Sequence, residues 1–309
     1  MIPVTPEQLG AASEEAGWEV SYNQLARGVM HGEFLQAEGQ HVIVSSETYT
    51  HAIHGVGSAP PDKLAFVIQM DKGHSRLNGI VSCASKVFLL PAGREFDYFA
   101  SKNHNFFTIQ VDQGSFTSGF HKLRGSNDTQ LDFESWSYVS IPRPLARALN
   151  NHICQLLDQV PLLETATINP SAEESELSIS HLLSLSFLSN EQVPFESNPS
   201  ERRRRIQSAK DFILSNLGSQ LSIPEICAIA DCSVRTLQYG FLEHYNLTPV
   251  QFIKYHRINE ARRQLIAASA DEQSVGQIAR SLGLKHQGRF SEDYREMFGE
   301  LPSQTLRPF

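Results

Sequence analysis

The chain has 309 residues, enough for two ordinary domains, and with 40% hydrophobic and 19% charged residues its composition is that of a folded globular protein, not a disordered one. The formal net charge of −8 excludes wholesale coating of a polyanion, but the charge is unevenly divided: residues 200–309 carry about 15 Lys/Arg against about 12 Asp/Glu, and the remainder about 11 against about 22. Four cysteines without a C-x-x-C pair, no basic-then-apolar leader and no apolar run near the ~18 residues of a membrane span point to a soluble, cytoplasmic protein with reduced thiols.

In chain order, residues 5–17 read as a short helix: Thr5 and Gln8 have the spacing of a capping box, Pro6 suits the first helical position and Gly17 stops it. Short β-prone runs follow at Gly32–Ala37, His41–Thr48, Lys63–Met70, Lys86–Leu90, Glu95–Ala100 and Phe106–Asp112, separated by Gly, Pro, Asn and Ser. Such spacing predicts an antiparallel sandwich or small barrel able to hold one ligand. Phe66, Phe88, Tyr98 and Phe107 alternate within these runs and read as core.

Helical periodicity returns at Pro142, where Leu145, Leu149, Ile153, Leu156 and Val160 share one face. A second helix is predicted over Glu173–Ser189, with Leu177, Leu182, Leu183, Leu185 and Leu188 spread around its axis. Both should pack on the strands; the alternative is that one face also packs against a second protomer, which would make a homodimer. The polar, Pro-containing Ser189–Ser200 reads as a linker, which divides the chain into an effector-binding and dimerisation domain (1–190), a linker (191–200) and a helical domain (201–309). Glu201 and the arginines 202–205 open a helix to about Leu217, and this run of like charge reads as a solvated helix start.

Two similar units lie about 52 residues apart in the C-terminal part, at Ser222–Phe241 and Ser274–Tyr294. Each begins with a capping box, Ser222 with Glu225 and Ser274 with Gln277, then turns and restarts, the pattern of a helix-turn-helix. In the first unit Ser233 caps the second helix, and Val234, Leu237 and Phe241 should face inward. That leaves Arg235, Thr236, Gln238 and Tyr239 outward, and Arg and Gln are the side chains that pair with guanine and adenine edges. Thr248, Pro249 and Gln251 start a long helix to about Ala268, with Phe252, Ile258, Ala261 and Leu265 buried and Lys254, Arg257 and Arg263 outward toward phosphates. In the second unit Leu282 and Gly283 form the turn and Phe290, Tyr294 and Phe298 the inward face, leaving His286, Gln287, Arg289 and Glu292 to read bases.

The block Gly283–Arg307, with Phe290, Tyr294, Phe298, Gly299 and Pro302, resembles the C-terminal signature of AraC/XylS-type transcription regulators, and Ile229, Ala230, Ser233, Arg235, Leu237, Phe241, Pro249, Arg257 and Ala261 fit the same pattern. The endings are similar to the branch of alkylbenzoate and ethanolamine-utilisation regulators. By position, the resemblance implies base contacts at Arg235, Gln238 and Tyr239 and at Gln287, Gly288 and Glu292; Gly288 and Glu292 depart from the commoner pattern, so the first helix should carry most of the specificity. It also implies a cupin-like effector domain with dimerisation helices. The fold expected is therefore α+β: a cupin-like antiparallel β domain with helices, then an all-α domain of two helix-turn-helix units joined by a long helix.

The function expected is an effector-responsive, sequence-specific activator whose partners are double-stranded DNA, a small-molecule effector and RNA polymerase. Against an enzyme, no G-x-S-x-G elbow occurs, and Gly55-Val-Gly57 runs into Ser-Ala-Pro-Pro without opening a phosphate-binding helix. The seven histidines from His31 to His121 form no H-x-H pair with a nearby Glu, so neither metal nor cofactor is expected. The rival readings are a cupin-like metal-dependent enzyme fused to a DNA-binding domain, and a binding protein whose helix-turn-helix units contact protein.

Overall fold

The computed structural model describes residues 1–69, 75–124, 132–158, 165–167, 173–194, 200–268 and 273–306. The N-terminal region holds strands β1 (Ile2–Pro3), β2 (Glu19–Gln24), β3 (His31–Glu38), β4 (Val42–Tyr49), β5 (Ile53–Ser58), β6 (Lys63–Gln69), β7 (Arg76–Leu77), β8 (Ile80–Val81), β9 (Lys86–Leu90), β10 (Glu95–Ala100), β11 (His104–Asp112), β12 (Ser137–Ser140), β13 (Thr165–Thr167) and β14 (Val193–Pro194). Its helices are α1 (Pro6–Glu15), α2 (Gln113–Arg124), α3 (Arg143–Leu157) and α4 (Glu173–Leu188). The C-terminal region is helical: α5 (Glu201–Ser215), α6 (Ile223–Ile229), α7 (Val234–Tyr245), α8 (Pro249–Ala267), α9 (Val275–Ser281), α10 (Gln287–Phe298) and α11 (Pro302–Leu306).

The layering follows from the strand sequences. In β6, Leu64, Phe66 and Ile68 point to one side and Ala65 and Val67 to the other, and all five are buried. β9 repeats this with Val87 and Leu89 opposite Phe88 and Leu90. A strand apolar on both faces needs cover on both faces. On one side α2, α3 and α4 supply it with Phe116, Phe120, Ile153, Leu156, Ile179, Leu183 and Phe187. On the other, a five-stranded sheet in the order β2-β5-β10-β7-β8 closes over the larger sheet, whose path is β1-β3-β4-β11-β6-β9-β12-β14 with β13 parallel to β3. The predicted antiparallel β region and the C-terminal helical region are both present, and Phe66, Phe88, Tyr98 and Phe107 are buried as expected.

Four differences from the predicted elements have physical causes. β2 (Glu-Val-Ser-Tyr-Asn-Gln) and β5 carry polar residues on the side that meets the C-terminal helices, so neither shows clean alternation. Gly57, outside the predicted strands, lies within β5 opposite β2, where a Cβ would meet the Glu19 carbonyl at 1.9 Å; only glycine lets the two backbones approach this closely. α2 has weak helix formers, but Phe116 and Phe120, one turn apart, anchor it to the core, and the Asp112 carboxylate accepts from Ser115 N at 2.7 Å at its start. Within the expected linker, Val193 and Pro194 pair with Tyr138 and Ser137, so the chain stays in the sheet to Pro194. Met70, Val160 and Arg307, used in the sequence reading, lie outside the described residues.

The outer face of the smaller sheet is covered by the C-terminal helices. Leu25 and Phe99 join a core with Ile206, Ile213, Leu237, Phe241 and Phe252. Beside it Lys210, its side chain 5% exposed, is paired with Asp97, and His54 Nε2 lies 3.3 Å from the same carboxylate. Burial alone would raise the Asp97 carboxyl, but His54 and then Lys210 override it and hold the group well below the usual carboxylate range. Because the folded value is depressed, the stabilisation is complete above the unfolded value near ~4 and is lost as pH falls below it. Asp97→Asn leaves Lys210 with only the exposed Asp211 at 3.4 Å. The substitution should therefore lower stability by an amount toward the lower end of ~3–5 kcal/mol in urea melts at neutral pH, with the difference from the parent shrinking below about pH 4.

Candidate nucleic-acid interface

The two helix-turn-helix units are built by the predicted caps. Ser222 accepts from Glu225 N at 3.3 Å while Glu225 accepts from Ser222 N at 3.4 Å, and Ser274 and Gln277 repeat the arrangement at 3.3 and 2.8 Å. Ser233 Oγ accepts from Thr236 N at 3.1 Å and starts α7, whereas His286 precedes α10 without a side-chain cap bond. The turns use left-handed residues, Asp231 at φ 47° in the first and Gly283 at φ 69° in the second. α5 lies on α7 so closely that a Cβ on Gly240 would meet Ile206 at 2.1 Å. Thr248 and Gln251 cap α8, whose 19 residues span about 28 Å at ~1.5 Å each.

The residues expected to read bases lie on the first two turns of α7 and α10. Arg235, Gln238 and Tyr239 are exposed and Thr236 is half-buried; the Arg235 guanidinium sits 5.4 Å from the centre of the Tyr239 ring, which holds it along the helix. His286, Gln287, Gly288, Arg289 and Glu292 are all exposed. One inward assignment is corrected: Val234, in the first turn of α7, is 45% exposed. Phe298 is half-buried and packs on the inner face of α10 as expected, where Met297, at 1%, joins it.

The basic residues of α8 are not outward. Lys254 Nζ lies 2.5 Å from Asp293 Oδ1, Arg257 donates to the carbonyls of Leu217 at 3.0 Å and Ser219 at 2.6 Å, and Arg263 pairs with Glu260 at 2.9 Å and donates to Asn23 at 3.1 Å. α8 crosses the middle of the domain, so its flanks meet neighbouring elements and these cations are half-buried. The arginine run is similarly engaged: Arg202 pairs with Glu243 at 2.8 Å, Arg203 donates to the Asn78 carbonyl, and Arg205 pairs with Glu201 and Asp231.

A set of residues absent from the sequence reading joins this surface to the β region. The Asn259 side chain, 1% exposed, accepts from Gln24 N at 3.0 Å and donates to Gln24 O at 2.9 Å. The Gln24 amide donates to Gly28 O and to Met297 O, Gly28 N donates to Glu296 O, and Arg27 pairs with Asp293 and Glu296. On the other unit Arg76 donates to the Glu243 carbonyl at 3.3 Å. The contacts fall on the C-terminal halves of α7 and α10 and leave their first turns free. Next to them His256, 1% exposed and packed 5.1 Å from the His54 ring, is held neutral, its value pushed far down by burial and by His54. The only sequence signal for this interface was a run of polar residues on a β-prone segment.

Among the described residues no group of three or more His, Cys, Asp or Glu side chains is placed to hold a metal, and no helix is long and apolar enough to cross a membrane. Cys83, Cys154, Cys227 and Cys232 are free thiols.

Two substitutions test this geometry. Asn259→Ala strands the Gln24 N–H and C=O and should cost about 1–3 kcal/mol, read as a lower melting temperature; an unchanged one would contradict the clamp. Nothing lies within 4 Å of a Cβ built on Gly288, so Gly288→Ala should stabilise the chain by up to about 1 kcal/mol in the same measurement.

Residues 226–308 match a family described as a helix-turn-helix domain. Over 112 residues the chain is 38% identical to the XylDLEGF operon transcriptional activator of Pseudomonas putida, a match spanning 36% of this chain and 33% of that protein. It is also 38% identical over 96 residues to XylDLEGF operon transcriptional activator 3 of the same organism, covering 31% and 29%. The matches thus span about a third of the length of these curated relatives. Among solved structures, a transcriptional regulator of the AraC-type DNA-binding domain-containing proteins from Chromobacterium violaceum is 25% identical, covering 34% of this chain and 95% of that one at a TM-score of 0.31. The C-terminal part of the chain is thus a helix-turn-helix domain similar to that of these activators, in keeping with its resemblance to AraC/XylS-type regulators.

Proposed function

We propose that this chain is a sequence-specific, DNA-binding transcription regulator, an effector-responsive activator and not an enzyme, that reads two successive major-groove faces of double-stranded DNA. The observation that carries the reading is the exposure of the expected readers on the first two turns of α7 and α10, with Arg235, Gln238 and Tyr239 on one and Gln287, Arg289 and Glu292 on the other. The helix between them is about 28 Å long against the ~34 Å repeat of B-DNA. The activator named among the relatives supports the same class of function. α7 supplies most of the specificity, because α10 has no side chain at Gly288 and sets Glu292 where phosphate repels it. Lys254 and Arg257 position the helices, not the DNA backbone.

In this reading residues 201–309 bind DNA in the cytoplasm, 191–200 connect, and 1–190 bind a small effector and dimerise; Leu177 and Leu185, 57% and 40% exposed on α4, are the apolar residues open to a second protomer. RNA polymerase is the partner through which activation acts. The β region grips α8 and the ends of both recognition helices, so a change in its shape reaches both readers together.

Selection of DNA from a random pool should return one preferred site with a footprint of about 17 base pairs or more per protomer; a pool with no preferred sequence would sink the proposal. Arg235→Ala should relax discrimination at one base position by about 1–3 kcal/mol, visible as a flattened position in the selected sequences.

A further inference from the structure

The space between the two sheets is not completely filled. A cavity of about 30 Å3 remains there, room for about two water-sized groups at roughly 10–15 Å3 each. Trp18, Tyr22, Phe96, Tyr98 and Phe106 make most of its wall; Trp18 meets Phe96 edge to face at 5.8 Å and Tyr98 tilts against Phe106 at 4.9 Å. The wall is otherwise apolar apart from two side chains that carry polar groups, Glu47 from β4 and Thr108 from β11.

Thr108 is unsatisfied within the chain, and Glu47 is satisfied on one oxygen. Thr108 is 4% exposed and its Oγ1 has no hydrogen-bond partner. Glu47 is 5% exposed, and both phenols that reach it, Tyr22 at 3.3 Å and Tyr49, donate to the same oxygen, Oε2. Its Oε1 takes no hydrogen bond from a described residue, and no described Lys, Arg or His pairs with the carboxylate. An isolated carboxylate is costly to bury, and the faces of aromatic rings attract positive charge. The site offers acceptors, a negative charge and ring faces in a volume too small for a sugar or an aromatic acid.

We propose that this cavity binds a small primary ammonium ion of about methylammonium size, its N–H groups donating to Glu47 Oε1 and Thr108 Oγ1 and its charge lying against the rings. The assignment names the chemical class of the effector and rests on the effector-responsive reading above. Burial pushes the Glu47 carboxyl up to about 7, against the opposing bonds from Tyr49 and Tyr22. Tyr22 and Tyr49 are themselves raised well above the usual phenol range and stay neutral; Tyr98 completes the titratable lining, and His104 lies behind Tyr49 at 5.0 Å. An ammonium ion therefore competes with a proton for Glu47, so binding strengthens as pH rises through about 7. Tyr22 stands two residues before Gln24 on β2, which places the occupant two residues from the clamp on α8 and α10.

The test is a titration of the full chain with methylammonium chloride at pH 8, followed by melting temperature and by Trp18 fluorescence in a Trp136→Phe background. Expected is a saturable rise in melting temperature and a change in emission that neither sodium chloride at equal ionic strength nor methanol produces, with about a tenfold loss of affinity at pH 6. Glu47→Gln, which keeps the shape and removes a charge disfavoured by burial, should abolish the response. Should that variant not fold, Thr108→Val must weaken binding several-fold. No saturable response to methylammonium, or a response undiminished in these variants, overturns the proposal. A chain that ignores methylammonium yet selects a DNA site and responds to another compound overturns the cation assignment and leaves the regulator reading standing. Methylammonium binding by a chain that selects no DNA does the reverse.

Discussion

A single buried amide organises the relation between the two halves of the molecule. Asn259, in the middle of α8, bonds both backbone groups of Gln24 as a neighbouring strand would, and so extends the small sheet by one residue into the helical region. Its burial makes the bond specific, because neither partner has water to fall back on. The Gln24 side chain, the Gly28 amide and Arg27 then reach onward to the end of α10. Since α8 is common to both helix-turn-helix units, a hold on its midpoint fixes both.

The polar interface is matched by an apolar one. The small sheet is covered on its inner face by the larger sheet and on its outer face by helices, with Phe99 and Leu25 passing into the core around Phe241 and Phe252. Asp97 lies between these on β10, balanced by Lys210 and His54. Tyr98, the next residue, points the other way and lines the cavity. Successive residues of one strand thus face the helical region and the interior of the sandwich, a direct consequence of the two-residue period of β structure.

Much of this was legible in the sequence where local chemistry dominates. The caps at Ser222, Thr248 and Ser274 and the turn glycine Gly283 act within four residues, and the structure has each at its expected place. The apolar strands β6, β9 and β10 were equally plain. What escaped depends on long-range partners. β2 and β5 look polar because their outer faces are satisfied by helices some 200 residues later, and α2 is held by two phenylalanines against weak propensity. The α8 cations looked outward because a helix pattern says which residues share a face but not what that face meets. The clamp residues Gln24 and Asn259 carry no motif, and an Asn in mid-helix is unremarkable until its partner is known.

The engagement of the basic side chains has an electrostatic consequence. Arg27, Arg202, Arg203, Arg205, Lys254, Arg262 and Arg263 all face carboxylates or carbonyls of the chain itself. Under the DNA-binding reading, these side chains add little to the release of condensed counterions, the term that drives sequence-independent adhesion; that part falls to exposed cations such as Arg235 and Arg289. Loosening the grip of the β region would free Arg27 and its neighbours for phosphates, so that the same event that lets the helices move would also raise the protein's general affinity for DNA.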